Sequence, residues 1–246
     1  MSGHSKWHNI QAKKGKADAA RGKIFTKLGR ELAVAAKGNP NPSTNSKLAD
    51  IIAKAKAANM PNDNIDRCIK KAAGEVGEKD YKELTYEGYG VGGAAVIITT
   101  LTDNLNRTAG DVRAIMSKHG GSLGMTGCVS YMFENKGVIV VERTPNLSED
   151  EVTEYAIEAG ADDVVTADDA FEIYTTPAAF SEARKYLEEK GLTFLQAEIT
   201  MLPQNNITLP QDKLETFLKM LDKLDENDDV QNVYHNVELP EEDEED

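Results

Sequence analysis

Residues 137–202 read GVIVVERTPNLSEDEVTEYAIEAGADDVVTADDAFEIYTTPAAFSEARKYLEEKGLTFLQAEITML, and the rhythm of this stretch decides the fold. Strand-length apolar runs at 137–142, 163–166, 171–175 and 194–202 are separated by helical patterns at 148–159 and 177–190. Residues 128–134 (CVSYMFE) read as a further strand leading into 137–142. The order is therefore βαββαβ, the split βαβ arrangement of ferredoxin-like domains, and it occupies residues 128–202.

The flanks on either side are each too short to close a core. Upstream, 86–89 is a short strand, Ala94–Leu101 is a near-continuous apolar run of the kind buried on both faces, and 107–118 is a helix with Val112, Ile115 and Met116 inward. Downstream come a strand near Ile207, a helix at 211–225 and a strand at 230–237. Joined, 83–127 and 203–238 make a second α/β sandwich, interrupted in the chain by 128–202.

Residues 1–75 have a different character. Helices are expected at 18–37, 46–59 and 62–73, the first capped by Asp18 and stopped by Gly38 and Pro40. Ile24, Leu28, Leu32 and Ala35 form its apolar stripe, and Lys23, Lys27, Arg30 and Lys37 fall on the opposite face. Residues 1–16 lack apolar periodicity and read as a flexible arm, Glu75–Lys82 as a linker, and 239–246 as an acidic, disordered tail. The fold class is α+β: an N-terminal three-helix domain, then two ferredoxin-like α/β sandwich domains, the third inserted in the second.

Charge is segregated along this architecture. Residues 1–75 hold 15 Lys+Arg and 6 Asp+Glu, a net of +9. The whole chain holds 28 against 42, so residues 76–246 hold 13 against 36, a net of −23. Such asymmetry bears on partners more than on folding. Lys6, Lys13, Lys14, Lys16, Arg21, Lys23, Lys27 and Arg30 lie close together, alongside Trp7. Cations for phosphates, with an aromatic that stacks on an exposed base, are what a nucleic-acid binder needs.

Other features narrow the function by exclusion. With 40% hydrophobic and 28% charged residues the chain reads as a soluble globular protein. No apolar run approaches the roughly 18–20 residues of a membrane span, and the first residues lack a signal-peptide core, so a cytoplasmic location is expected. Cys68 and Cys128 form neither a disulfide framework nor a CxxC. The Gly90–Gly93 and Gly120–Gly127 segments lack GK[ST] and read as turns. The acid pairs at 162–163, 168–169 and 228–229 read as loop and cap residues, and the four histidines at 4, 8, 119 and 235 suggest no catalytic constellation. No cofactor, metal or enzymatic activity is expected, and a metal-dependent hydrolase that uses the acid pairs is the remote alternative. The segment Thr102–Thr108 leaves two readings open: a helix cap, or a surface whose Arg107 contacts RNA or a partner protein.

Several of these stretches together resemble the YebC family: Gly3-His4-Ser5-Lys6-Trp7, Arg21–Leu28, Asn59-Met60-Pro61, Tyr86–Gly90, Thr102–Thr108, Gly120–Gly127 and Asp228–Asn236. Val91 stands where the family usually has proline, and Leu105 where it usually has arginine. The resemblance implies the three-domain layout above and a non-enzymatic role in gene expression. Family members are labelled transcriptional regulators, a mitochondrial relative is regarded as a translational activator, and bacterial members are viewed as ribosome-associated factors that help proline runs through synthesis.

Two targets compete for such a protein, promoter DNA and the rRNA or tRNA of the ribosome. The chain shows no recognition helix and no sign of a two-fold dimer, so a monomer is expected. An acidic body resists lying along a duplex, and a basic arm with a tryptophan suits a crevice of folded RNA. The expected contacts are Lys6, Trp7, Lys13, Lys14, Lys16, Arg21, Lys23, Lys27, Arg30 and Arg107.

Overall fold

The computed structural model describes residues 17–72 and 80–239, with the side chains of 17–21 outside the description. The proposed contacts Lys6, Trp7, Lys13, Lys14 and Lys16, the Arg21 side chain, most of the expected linker and the acidic tail from 240 therefore lie outside the described residues, whereas Leu239, expected in the tail, packs against a core.

Three helices come first: α1 (Ala17–Ala36), α2 (Ser46–Ala57) and α3 (Asn62–Ala72). Gly38 at φ 84° ends α1 in the left-handed conformation that glycine adopts without strain. Asn45 caps α2 by accepting from Leu48 N. Leu28, Leu32, Ala36, Leu48, Ala55, Met60 and Ile65 form their shared core, with Phe25 packed against it. Ile24, expected inward, is exposed, and Phe25 takes its place. Ala17 is already helical, so Asp18 lies inside α1 and not at its cap.

The remaining elements are β1 (Lys82–Tyr89), β2 (Ala95–Thr102), α4 (Leu105–Lys118), β3 (Ser122–Leu123), β4 (Phe133–Glu142), α5 (Glu149–Glu158), β5 (Asp163–Thr166), β6 (Ala170–Thr175), α6 (Phe180–Glu189), β7 (Phe194–Pro203), α7 (Gln211–Asp225) and β8 (Val230–His235). They build two four-stranded antiparallel sheets, ordered β3-β1-β2-β8 and β5-β6-β4-β7. The second has the ferredoxin-like order, with α5 and α6 burying Val152, Ala156, Ala183 and Leu187 on Ile139, Val141, Phe171 and Ile173. The first sheet has the same layering with a different connectivity. There β1 turns directly into β2 through a short 3₁₀ turn, and β8, more than a hundred residues later, pairs with β2 from Val96↔His235 to Thr100↔Val230. Val112 and Met116 of α4, with Phe217, Met220 and Leu224 of α7, cover Val96, Ile98 and Val230.

The described residues form two compact units, Glu134–Leu202 and the segments 17–133 with 203–239. The first unit starts later than the expected 128. Residues 128–132 are not a strand. They form a loop with a 3₁₀ turn at Ser130–Met132, and β4 runs unbroken from Phe133 through Gly137. The local apolar pattern was right for β4 but extended too far upstream. The pattern also missed β3, which has only two residues, and shortened β1, whose first half is polar and exposed. Ile207 makes an isolated bridge to Val237 and no full strand.

Candidate nucleic-acid interface

Helix α1 faces carboxylates belonging to the C-terminal part of its own unit. Lys27 is 9% exposed, and its Nζ donates to Asp225 Oδ1 at 2.6 Å and to the Asp225 carbonyl at 3.1 Å. One turn on, Arg30 Nη1 reaches Asp229 Oδ1 at 2.7 Å and the Leu101 carbonyl at 3.0 Å, with the guanidinium over the Tyr81 ring. Lys23 is partly buried. It assists Lys223, which pairs with Glu226 at 2.6 Å, in holding the Glu226 carboxyl below its usual value. Lys37 pairs with Asp80 across exposed surface at 3.0 Å. The middle of the basic face of α1, Lys27 and Arg30, is thus an internal surface, matched to Asp225 and Asp229 around the acid-rich turn between α7 and β8.

Asp229 is the hub of that match. It is 4% exposed, and its two oxygens serve separate elements. Oδ1 takes Arg30 from α1, whereas Oδ2 accepts from Arg107 Nη2 at 2.7 Å, Arg107 Nε at 3.2 Å, Thr108 Oγ1 at 2.8 Å and Thr102 Oγ1 at 3.3 Å. Burial alone would raise this carboxyl. The hydrogen bonds from Arg107, Thr108 and Arg30 outweigh burial and hold it below the ordinary aspartate value. Asn104 caps α4 by accepting from Arg107 N at 3.1 Å. Thr102–Thr108 is therefore a helix cap, and its arginine is clamped between Asp229 and Asp103, the latter at 3.0 Å. A side chain so held, with its outer edge still half exposed, can touch a ligand only with the donors left over.

A second buried carboxylate organises the glycine-rich loop. Glu87 of β1 is 6% exposed. Its Oε1 accepts from Gly127 N at 2.8 Å, and its Oε2 accepts from Val129 N at 3.0 Å and Ser130 N at 2.9 Å. Burial again pushes the carboxyl up, and the three backbone donors more than reverse it, leaving it below the ordinary glutamate value. The loop lies so tightly on β1 that a Cβ on Gly88 would stand 2.2 Å from the Ser122 carbonyl oxygen. The turn reading of Gly120–Gly127 holds, and Glu87 is the residue it did not foresee. The only signal for it in the sequence is an acid in the second half of β1, beside Tyr86 and Gly88, away from the charged pair Lys82-Glu83 at the start of the strand.

Among the described residues no group of three or more His, Cys, Asp or Glu is placed to hold a metal ion, and no helix is long and apolar enough to cross a membrane.

This layout of helical head, interrupted sheet domain and inserted ferredoxin-like domain belongs to a defined class of protein. Residues 5–75 match the TACO1/YebC protein N-terminal domain, and residues 81–237 match the TACO1/YebC second and third domain. The chain belongs to the YebC family. It is 58% identical over 243 residues to a "Probable transcriptional regulatory protein" of Clostridium tetani, covering 98% of this chain and 99% of the relative. A protein of the same name from Geobacillus thermodenitrificans is 55% identical over 240 residues, covering 97% of each. Among solved structures, a conserved hypothetical protein of Aquifex aeolicus (Aq1575) superposes with a TM-score of 0.80 at 45% identity, over 93% of this chain and 95% of that one.

Proposed function

We propose that this protein is a non-enzymatic, nucleic-acid-binding regulator of gene expression that works on the translating ribosome. It contacts rRNA or tRNA and eases the synthesis of difficult peptides such as proline runs. The observation that carries the reading is the division of the head's cations. Those of α1 that face the body, Lys27 and Arg30, are neutralised by Asp225 and Asp229. Of the head's expected contacts, the others lie earlier in the chain, at Lys6, Lys13, Lys14, Lys16 and Arg21, close to Trp7 in sequence. Among the described residues, Lys23 and the outer edge of Arg107 are the remaining expected contacts.

A short basic segment on a body of net −23 suits a crevice of folded RNA, where few phosphates are met at once, better than a long duplex. The relatives' name favours a second reading, a DNA-binding transcriptional regulator.

Translation from pre-made mRNA, with transcription absent, separates the two. Wild-type protein is expected to restore full-length product selectively from a template encoding a proline run. Protein with Lys13, Lys14 and Lys16 changed to Glu is expected to fail. If neither template responds, and the protein shifts a promoter fragment in clear preference to random DNA at physiological salt, the transcriptional reading stands instead.

A further inference from the structure

The loop held by Glu87 has a composition unlike any other part of the chain. Between Asp111 and Glu134 lie 22 residues without an acid, the longest such stretch in a protein that carries 42 of them. Its only Lys or Arg residues are Arg113 and Lys118, so the segment is positive in a chain of net −14. From His119 to Phe133 there is no Asp, Glu, Lys or Arg at all.

This segment also displays apolar side chains to solvent. Met125 is 85% exposed and Tyr131 is 69% exposed. Tyr89, also exposed, donates its hydroxyl to the Cys128 carbonyl at 3.1 Å, and its hydroxyl interacts with that of Tyr131. Their exposure does not come from a loose loop. The three backbone donors to Glu87 fix its centre, Gly124 N donates to the Glu87 carbonyl at 2.9 Å, and Gln204 N holds the Met132 carbonyl at 2.9 Å. A loop ordered this firmly binds with little further loss of conformational entropy. The exposed pair that the structure does connect is Tyr131 and Tyr89, two rings presented on a rigid support.

We propose that the Glu87-braced loop is a second nucleic-acid contact, in which Tyr131 stacks on an unpaired base of RNA. This rests on the ribosome reading above and adds the element that reads bases to the one that grips phosphates. The charge pattern selects RNA bases over a protein partner. The loop carries no acid of its own between Asp111 and Glu134, and the carboxylate that braces it, Glu87, is buried under three N–H donors. Tyrosine and methionine offer flat or polarisable surface to a base, and stacking of this kind tolerates any sequence. A strongly basic partner protein would instead call for exposed acids here.

The test places the photo-crosslinking residue p-benzoylphenylalanine at position 131 in one full-length protein and at position 23 in another, in living cells. The adducts are then digested with RNase, DNase or protease. An RNase-sensitive adduct at position 131 supports the proposal. An adduct that is protein alone or DNA alone, or no adduct, overturns it. Position 23 reports separately on the head, so a head that crosslinks to DNA defeats the ribosome reading whatever position 131 does. Binding to the captured RNA gives the confirming measurement. Tyr131→Ala should weaken it about tenfold with an unchanged salt slope, because no phosphate contact is lost, while Tyr131→Phe should bind like wild type. Equal binding by Tyr131→Ala and wild type would also overturn the proposal.

Discussion

Asp229 and Glu87 are two buried carboxylates in the same unit, and they are satisfied in opposite ways. Asp229 is met by two arginines and two threonine hydroxyls from α1, β2 and α4, so it ties together elements far apart in the chain. Glu87 is met by three backbone N–H groups from one loop, so it shapes a local surface. The difference shows what a buried charge can be used for. Cationic partners make a junction, whereas neutral backbone donors make a mould. The junction spends two of the basic residues that the sequence offers for binding, Arg30 and Arg107, and the mould displays residues that the sequence does not single out.

The largest effect should come from breaking the junction. Asp229→Ala leaves Arg30 partly buried without its carboxylate, and removing one member of a buried pair costs about 3–5 kcal/mol. Chemical denaturation should show this loss. A change within experimental error would mean that α1 is not anchored through Asp229. Breaking the mould should cost less. Glu87→Gln exchanges a carboxylate that accepts three bonds for an amide that accepts fewer and points donors at donors, worth about 1.5–3 kcal/mol. Hydrogen exchange should then speed up at Gly127, Val129 and Ser130 while the helices of the head keep their protection.

Acid should weaken both sites. Each carboxyl is held below its ordinary value, 3.8 for Asp229 and 4.5 for Glu87. A depressed folded-state value contributes stability above the unfolded value, and that stability is lost as pH falls through the folded one. Wild-type stability should therefore drop steeply below about pH 4, and Asp229→Asn and Glu87→Gln should each make the drop shallower. Parallel acid profiles for all three proteins would contradict the assignment. The smallest effect belongs to Lys27→Ala. Its partner Asp225 is mostly exposed, so the ion pair contributes up to about 1 kcal/mol, screened by salt.

How far the sequence could be read follows from the same contrast. Periodicity identified the helices and most strands, because burial on one face writes a repeating pattern: α7 and α4 declare themselves through Phe217, Met220, Val112 and Met116. The pairing of β8 with β2 was reachable because neither flank has enough strands alone. Periodicity failed at Cys128–Met132, where apolar residues serve a loop moulded on Glu87, and at β3, which is too short to have a period. The charge pattern was legible as an imbalance but not as a pairing. Nothing local to Lys27 or Arg30 shows that Asp225 and Asp229, almost two hundred residues away, will meet them. The acid-rich turn at 225–229 was the available clue. It read as a loop, and its role as the partner of the basic helix appears only once the two are folded together.

The central claim is that the paired cations of the head are architectural and the earlier ones bind. It is tested most directly by co-sedimentation with purified ribosomes across a salt series, for wild type, the Lys13, Lys14 and Lys16 to Glu triple variant, and Lys27→Ala. The triple variant should bind at least about tenfold more weakly, with a salt slope flatter by roughly two to three units, since each lost phosphate contact removes about 0.7–0.9. Lys27→Ala should match wild type in both affinity and slope. Wild-type binding by the triple variant, or an equally flattened slope for Lys27→Ala, would contradict the division of the basic head on which the account rests.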